Sequence, residues 1–134
     1  MRSILIVDNE QRIVDSLAFY FERHTDLCIH SAYGGHEALE LMARERIDVL
    51  LTDIRMPGMD GLTLQREVVH RWPWCRTIFL TGYSEFEYAQ QALRGGGVDY
   101  LLKTEGYDAV LQAVQRTLER MDAEACQDVY KRQL

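Results

Sequence analysis

The chain has 134 residues, a formal net charge of −6 and a hydrophobic content of 47%. This length suits one domain with one core, and this content is ordinary for a globular protein. The net negative charge argues against this segment binding nucleic acid. No apolar stretch is long enough to span a bilayer, so no membrane partner is expected.

The start of the chain and its cysteines both favour a cytoplasmic protein. Met1-Arg2-Ser3 leads directly into an apolar run, so the sequence predicts no signal peptide. Cys28, Cys75 and Cys126 are far apart and odd in number, which predicts neither a disulfide framework nor a metal site. We therefore expect buried or incidental thiols.

Strand-like and helix-like segments alternate along the chain. Short runs of branched apolar residues, which are typical of buried strands, occur at Ile4–Val7, Leu27–Ser31, Val49–Thr52, Ile78–Leu80 and Val98–Leu102. Apolar residues at helical spacing follow these runs, from Ile13 to Phe21, Ala38 to Met42, Leu64 to Val68, Phe86 to Leu93 and Val110 to Leu118.

Five βα units of this length predict a parallel sheet covered by helices on both faces. Because crossover connections between parallel strands are right-handed, the units favour a doubly wound α/β fold. We expect the flavodoxin-like strand order 2-1-3-4-5, with five helices.

Four of the apolar runs pass into polar residues of different kinds. The first is followed by Asp8-Asn9-Glu10, and the others by Asp53, Thr81 and Lys103. In an open parallel sheet these residues meet at the carboxyl edge. Carboxylates that share an edge repel each other, and a hard cation such as Mg²⁺ suits them. A Thr and a Lys beside them suit a transferring phosphoryl group.

Four segments together resemble the receiver domain of bacterial two-component response regulators, in order and in spacing. They are residues 4–10 (ILIVDNE), 53–61 (DIRMPGMDG), 81–83 (TGY) and 98–103 (VDYLLK). The resemblance covers residues 1–121. Residues 81–89 (TGYSEFEYA) look especially like the subfamily in which the receiver precedes an AraC-type DNA-binding domain.

The resemblance implies a phosphorylation-operated switch. A partner sensor histidine kinase would donate a phosphoryl group to Asp53, with Mg²⁺ held by Asp8, Asn9, Asp53 and the main-chain carbonyl of Arg55. The domain would not be an enzyme with a separate substrate, although it would assist its own phosphotransfer and autodephosphorylation.

Further residues match positions that respond to the phosphoryl group. Thr81 and Lys103 would contact its oxygens through a hydroxyl and an ammonium group. Gly82 would leave space beside the site, and Tyr83 would shape access for the hydrolytic water. Tyr100 matches the switch aromatic that turns inward with Thr81. The alternative is a half-buried strand tyrosine with its hydroxyl in water.

Two positions depart from the family pattern. Asn9 stands where a second acid is usual, and an amide oxygen can still bind Mg²⁺ but brings no charge. Thr104 stands where proline usually follows the lysine, and we expect a trans bond before it because a cis bond there would cost about 2.5–4 kcal/mol. The alternative function is therefore a pseudo-receiver, an interaction module with weak or no phosphorylation.

A hydrolase with an aspartate nucleophile is a less favoured rival. Such enzymes carry a second acid shortly after the nucleophile for proton transfer. Here Asp53 is followed by Ile54, Arg55 and Met56.

Residues 122–134 are expected to be a tail outside the receiver domain. Asp128 to Gln133 shows no apolar period and resembles a translated sequencing adapter, so the natural protein is expected to continue differently, with its output domain missing here. A frayed natural terminus is the alternative. The output is expected to be transcription, and homodimerisation on phosphorylation is left open.

Overall fold

The protein folds as an α/β domain in which helices flank one parallel sheet. The computed structural model describes residues 2–82, 98–102 and 105–133, and of residues 81, 98–100, 102 and 125–133 it describes the backbone alone. The described strands are β1 (Ser3–Val7), β2 (Cys28–Ala32), β3 (Val49–Asp53), β4 (Arg76–Thr81) and β5 (Val98–Leu102). The described helices are α1 (Gln11–His24), α2 (Gly35–Arg44), α3 (Gly61–Arg71) and α4 (Tyr107–Gln133).

The sheet has the predicted strand order, β2-β1-β3-β4-β5, and its neighbouring strands are parallel. The flavodoxin-like fold is therefore confirmed. Four of the five predicted helices are described, and the predicted helix that carries Phe86 to Leu93 lies outside the described residues.

The strands are apolar throughout because both faces of the sheet are covered. Successive residues of a strand point to opposite faces. In β1, Ile4 and Ile6 join the core cluster that includes Phe21 of α1 and Val114 of α4. The intervening residues of β1 join a second cluster, which is formed with α2 and α3 and includes Leu5, Val7, Ala38, Met42, Leu64 and Val68. This two-sided burial explains why the strands show continuous apolar runs rather than alternation.

Local chemistry sets where the helices begin and end. The Oδ1 atom of Asp60 accepts a hydrogen bond of 2.8 Å from Thr63 N, so Asp60 caps the amino end of α3. At the other end of the chain, α4 continues past the predicted boundary at residue 121. Its residues Asp122 and Glu124 form ion pairs with Arg2 and Arg76, which lie at the amino edge of the sheet.

In the part of the chain that the structure describes, no helix is long and apolar enough to cross a membrane.

Candidate functional site

Two buried aspartates lie side by side at the carboxyl edge of the sheet. Asp53 is the last residue of β3, and Asp8 follows β1 directly. The strands are in register, with Val7 opposite Thr52, so the next residues along each strand are Asp8 and Asp53. Adjacent strands lie about 4.8 Å apart. The side chains are almost out of water, because the two residues are only 2% and 7% exposed.

The backbone orients both carboxylates. Oδ1 of Asp8 accepts a hydrogen bond of 2.9 Å from Glu10 N, and Oδ1 of Asp53 accepts one of 2.9 Å from Ile54 N. The carbonyl oxygen of Asp53 accepts a further bond of 2.9 Å from Thr52 Oγ1. The two bonds from Glu10 N and Ile54 N fix one oxygen of each carboxylate, which is the preorganisation that a binding site needs.

The donor set at this edge fits a hard divalent cation. Two neighbouring carboxylates that are both buried would repel each other, and a cation between them would remove that repulsion. Asn9 and Arg55, the other predicted ligands, lie in the exposed turns that directly follow Asp8 and Asp53. Among the described residues, no group of three or more His, Cys, Asp or Glu is arranged to hold a metal. The predicted set differs in kind, since it combines two acids with an amide and a main-chain carbonyl.

Gly61 holds the turn after Asp53 close to α3. A Cβ atom at position 61 would lie 2.1 Å from the carbonyl oxygen of Asp53 and 2.9 Å from Cα of Ile54. The Gly61 N–H also donates a hydrogen bond of 2.7 Å to the Ile54 carbonyl. The sequence alone did not predict this contact, because the close approach depends on how α3 packs against β3.

Tyr33 lies on the rim of the same edge, and it was not predicted from the sequence. It follows β2, and its hydroxyl donates a hydrogen bond of 2.9 Å to Oδ1 of Asp15 in α1. This bond to a carboxylate is the main reason why the pKa of Tyr33 is raised above its ordinary value of 10.0. An isolated tyrosine in a β2–α2 turn carries no sequence signal for such a contact.

The remaining predicted site residues belong to β4 and β5 and the turns after them. Thr81 is the last residue of β4, and its backbone is paired with that of Leu102. Gly82 follows and is half-buried. The backbone of Tyr100 lies in β5, opposite Phe79. Tyr83, Lys103 and Thr104 lie outside the described residues, so the predictions for their side chains stay predictions.

Comparisons with known proteins agree with this geometry. The family described as "Response regulator receiver domain" matches residues 4–115. The uncharacterized transcriptional regulatory protein YesN of Bacillus subtilis is 34% identical over 98% of this chain and 36% of its own length. The DNA-binding transcriptional regulator NtrC of Escherichia coli is 42% identical over 63% of this chain and 18% of its own length.

A solved structure has the same fold over most of the chain. It is a two-component transcriptional regulator AraC from Clostridium phytofermentans, 30% identical, with a TM-score of 0.82 over 90% of this chain and 95% of that one. The chain thus spans about a third or less of the length of the two curated relatives named above, and nearly all of the solved structure.

Proposed function

This chain belongs to the response regulator receiver domain family, and we propose that it accepts a phosphoryl group on Asp53 from a sensor histidine kinase in a Mg²⁺-dependent reaction. The observation that carries this proposal is the pair of buried carboxylates, Asp8 and Asp53, at neighbouring strand ends. A purely structural acid does not need a second buried acid beside it, and a hard cation would stabilise such a pair.

The ligands of the metal would be the side chains of Asp8, Asn9 and Asp53 and the main-chain carbonyl of Arg55. When bound, Mg²⁺ would supply positive charge that screens the phosphoryl oxygens from the carboxylates. The backbone bonds from Glu10 N and Ile54 N already hold one oxygen of each aspartate, so the carboxylates need little rearrangement on binding.

Asp53 would act as the nucleophile. One of its carboxylate oxygens attacks phosphorus, the bond from phosphorus to the kinase histidine nitrogen breaks, and an acyl phosphate forms. The electron pair of the broken bond stays on the imidazole nitrogen. Gly61 keeps the Asp53 backbone in place during this exchange, because α3 packs directly on it.

The switch would follow from the new charge on Asp53. Thr81 and Lys103 would move toward the phosphoryl oxygens, and Tyr100 would turn inward with Thr81. Phosphorylation would bias an existing equilibrium between two states. A shift from mostly inactive to mostly active needs a differential of about 5 kcal/mol.

The output would be transcription, through a domain that is not part of these 134 residues. The relatives named above are transcriptional regulators, and the chain covers only a minor part of their length. The structural match to a two-component transcriptional regulator AraC supports an AraC-type output domain. A protein with this role would work in the cytoplasm and meet its kinase there.

Intact-mass measurement tests the proposal. The protein is incubated with acetyl phosphate and Mg²⁺, and we expect the mass of one phosphoryl group to be gained. The gain should disappear without Mg²⁺ and in Asp53→Asn. It should persist in the matched control Asp60→Asn, which changes an exposed acid of the same loop and keeps a good helix cap.

Absence of a mass gain in folded wild-type protein, with acetyl phosphate and also with a phosphorylated histidine kinase, would refute the proposal. That result would favour the pseudo-receiver, in which Asn9 and Thr104 have replaced residues that phosphorylation needs.

A further inference from the structure

We propose that Tyr33 is a positioning residue that holds the turn of Asp8, Asn9 and Glu10 in its metal-binding conformation. This inference rests on the proposed function for the role of the turn, while the contacts that carry it are independent of any metal. Tyr33 would act through the segments at the two ends of the turn.

The first end of the turn is attached to the strand that precedes Tyr33. Asp8 N donates a hydrogen bond of 3.4 Å to the carbonyl oxygen of Ala32, the last residue of β2. Tyr33 is the next residue along the chain, so its backbone is fixed beside the start of the turn. Its own N–H donates a hydrogen bond of 3.2 Å to Oε2 of Glu37, in the first turn of α2.

The second end of the turn is attached to the side chain of Tyr33. Helix α1 begins at Gln11, directly after Glu10, and Asp15 lies just over one helical turn further on. The Tyr33 hydroxyl donates its 2.9 Å hydrogen bond to the Asp15 carboxylate. Hydrogen bonds of the adjacent residues Ala32 and Tyr33 therefore hold the turn at both of its ends.

These two hydrogen bonds matter because helix α1 starts without a side-chain cap. Glu10 occupies the cap position, and its side chain makes no cap hydrogen bond. Its carbonyl accepts the first bonds of the helix, from Ile13 N and Val14 N at 3.1 and 3.3 Å. An uncapped helix start is prone to fray, and here fraying would move Asn9, which is exposed and lies one residue from the cap.

A second tyrosine provides a matched control. Tyr20 also lies at the interface of α1 with another element, and its hydroxyl donates to the carboxylate of Asp108 in α4. As with Tyr33, this bond to aspartate is the main cause of a raised tyrosine pKa. The contact lies more than two turns along α1 from the turn of Asp8 to Glu10, so Tyr20→Phe should leave the turn unchanged.

Amide hydrogen exchange without metal tests whether the Tyr33 hydroxyl holds the start of α1 in place. Tyr33→Phe should raise the exchange rates of the Glu10, Ile13 and Val14 amides, which donate hydrogen bonds at the start of α1, by about tenfold, since fraying then competes with the folded helix start. Tyr20→Phe should leave those rates at the wild-type values. Asp15→Asn should also stay close to wild type, because an amide oxygen still accepts the tyrosine hydroxyl.

Magnesium titration by calorimetry then tests the link to the metal. Tyr33→Phe should weaken Mg²⁺ binding by about fivefold, less than the 10–100-fold loss that is typical when a group bonded directly to a metal ligand is removed. Tyr20→Phe should bind Mg²⁺ as wild type does. Equal exchange rates and equal affinities in the two tyrosine variants would overturn the inference.

The two proposals fail in different ways. If wild-type protein binds no Mg²⁺, the proposed function fails, and the exchange rates of the Glu10, Ile13 and Val14 amides still decide whether Tyr33 holds the turn. If wild type binds Mg²⁺ and Tyr33→Phe exchanges and binds as wild type does, only the role of Tyr33 fails.

Discussion

The two edges of the sheet each carry buried aspartate, in different surroundings. At the amino edge, Asp48 lies just before β3 and its side chain is 7% exposed. Arg2 Nη1 and Arg46 Nε approach its Oδ1 at 3.1 and 3.8 Å, and Ser3 N donates to its Oδ2 at 2.9 Å. At the carboxyl edge, five residues later, Asp53 shares its surroundings with a second buried carboxylate, Asp8.

The surroundings of Asp48 and Asp53 show how a structural acid can be distinguished from one with a proposed functional role. A buried carboxylate next to guanidinium groups is compensated within the fold, and it links elements that are distant in sequence. Arg2, for example, joins Asp48 to Asp122 of α4. Two buried carboxylates side by side are an arrangement that a bound cation would stabilise. We therefore propose that the amino edge serves stability and that the carboxyl edge serves chemistry.

The largest effect is expected for Gly61→Ala, at the carboxyl edge. The added Cβ would lie 2.1 Å from the Asp53 carbonyl oxygen, so the backbone at Asp53 must move. We expect the free energy of unfolding to fall by about 3 kcal/mol, the upper range for overpacking, and phosphorylation to slow. Denaturant unfolding and intact mass measure the two effects.

Gly34→Ala is the matched control for that substitution. Its Cβ would meet no atom within 4 Å, and a loss below about 1 kcal/mol is expected for this helix-cap position. Equal losses in the two variants would mean that close packing on Asp53 does not matter.

The free energy of unfolding should fall at alkaline pH because of Cys75, whose buried thiol lies near the amino edge. Burial, and after it the negative charge of Asp48, raises the pKa of Cys75 from 9.0 to about 12. The unfolded chain releases this proton near pH 9 and the folded chain does not, so the stability present below pH 9 is lost as the pH rises toward 12. At pH 10 the loss amounts to about 1.4 kcal/mol.

Urea unfolding of wild type and Cys75→Ala at pH 8 and pH 10 tests whether stability is lost as the pH rises. The Ala variant, which has no thiol at this position, should lose less stability between the two pH values than wild type does. An identical loss in both proteins would show that Cys75 ionises as readily when folded as when unfolded.

Asn9→Asp should increase the difference between the two edges, because it adds a third acid to the proposed metal ligands Asp8 and Asp53. Another negative ligand should tighten Mg²⁺ binding by about tenfold, since affinity for hard cations follows the charge of the ligand set. The same substitution should lower stability without metal, because like charges repel. Calorimetric titration and metal-free unfolding measure these effects, and an unchanged Mg²⁺ affinity would show that position 9 is not a ligand.

The smallest effect is expected for Arg76→Gln, at the amino edge. Its ion pair with Glu124 joins side chains that are 37% and 58% exposed, so the loss should be about 0.5 kcal/mol. The Glu124→Gln and double variants complete a mutant cycle. A coupling energy that exceeds about 1 kcal/mol, or that does not decline at high salt, would contradict this estimate.

Sequence reasoning predicted the sheet order from the alternation of βα units and their right-handed crossovers. It predicted the placement of Asp8 and Asp53 from where each apolar run ends. An apolar run that ends in an acid marks a strand end, and parallel strands bring their ends together. It did not predict the partners of Asp48 or the contact of Tyr33 with Asp15. Arg2 is 46 residues from Asp48 and 120 from Asp122, and no short-range pattern links residues so far apart.

The most direct test compares Asp53→Asn with Asp48→Asn for both phosphorylation and stability. Asp53→Asn should gain no phosphate from acetyl phosphate and Mg²⁺, and it should stay folded, because a buried negative charge beside Asp8 is removed. Asp48→Asn should still gain phosphate but should be less stable by about 2 kcal/mol, because it loses bonds from charged and backbone groups. A Mg²⁺-dependent mass gain in Asp53→Asn, or matching losses of phosphorylation and stability in both variants, would contradict the assignment of chemistry to one edge and stability to the other.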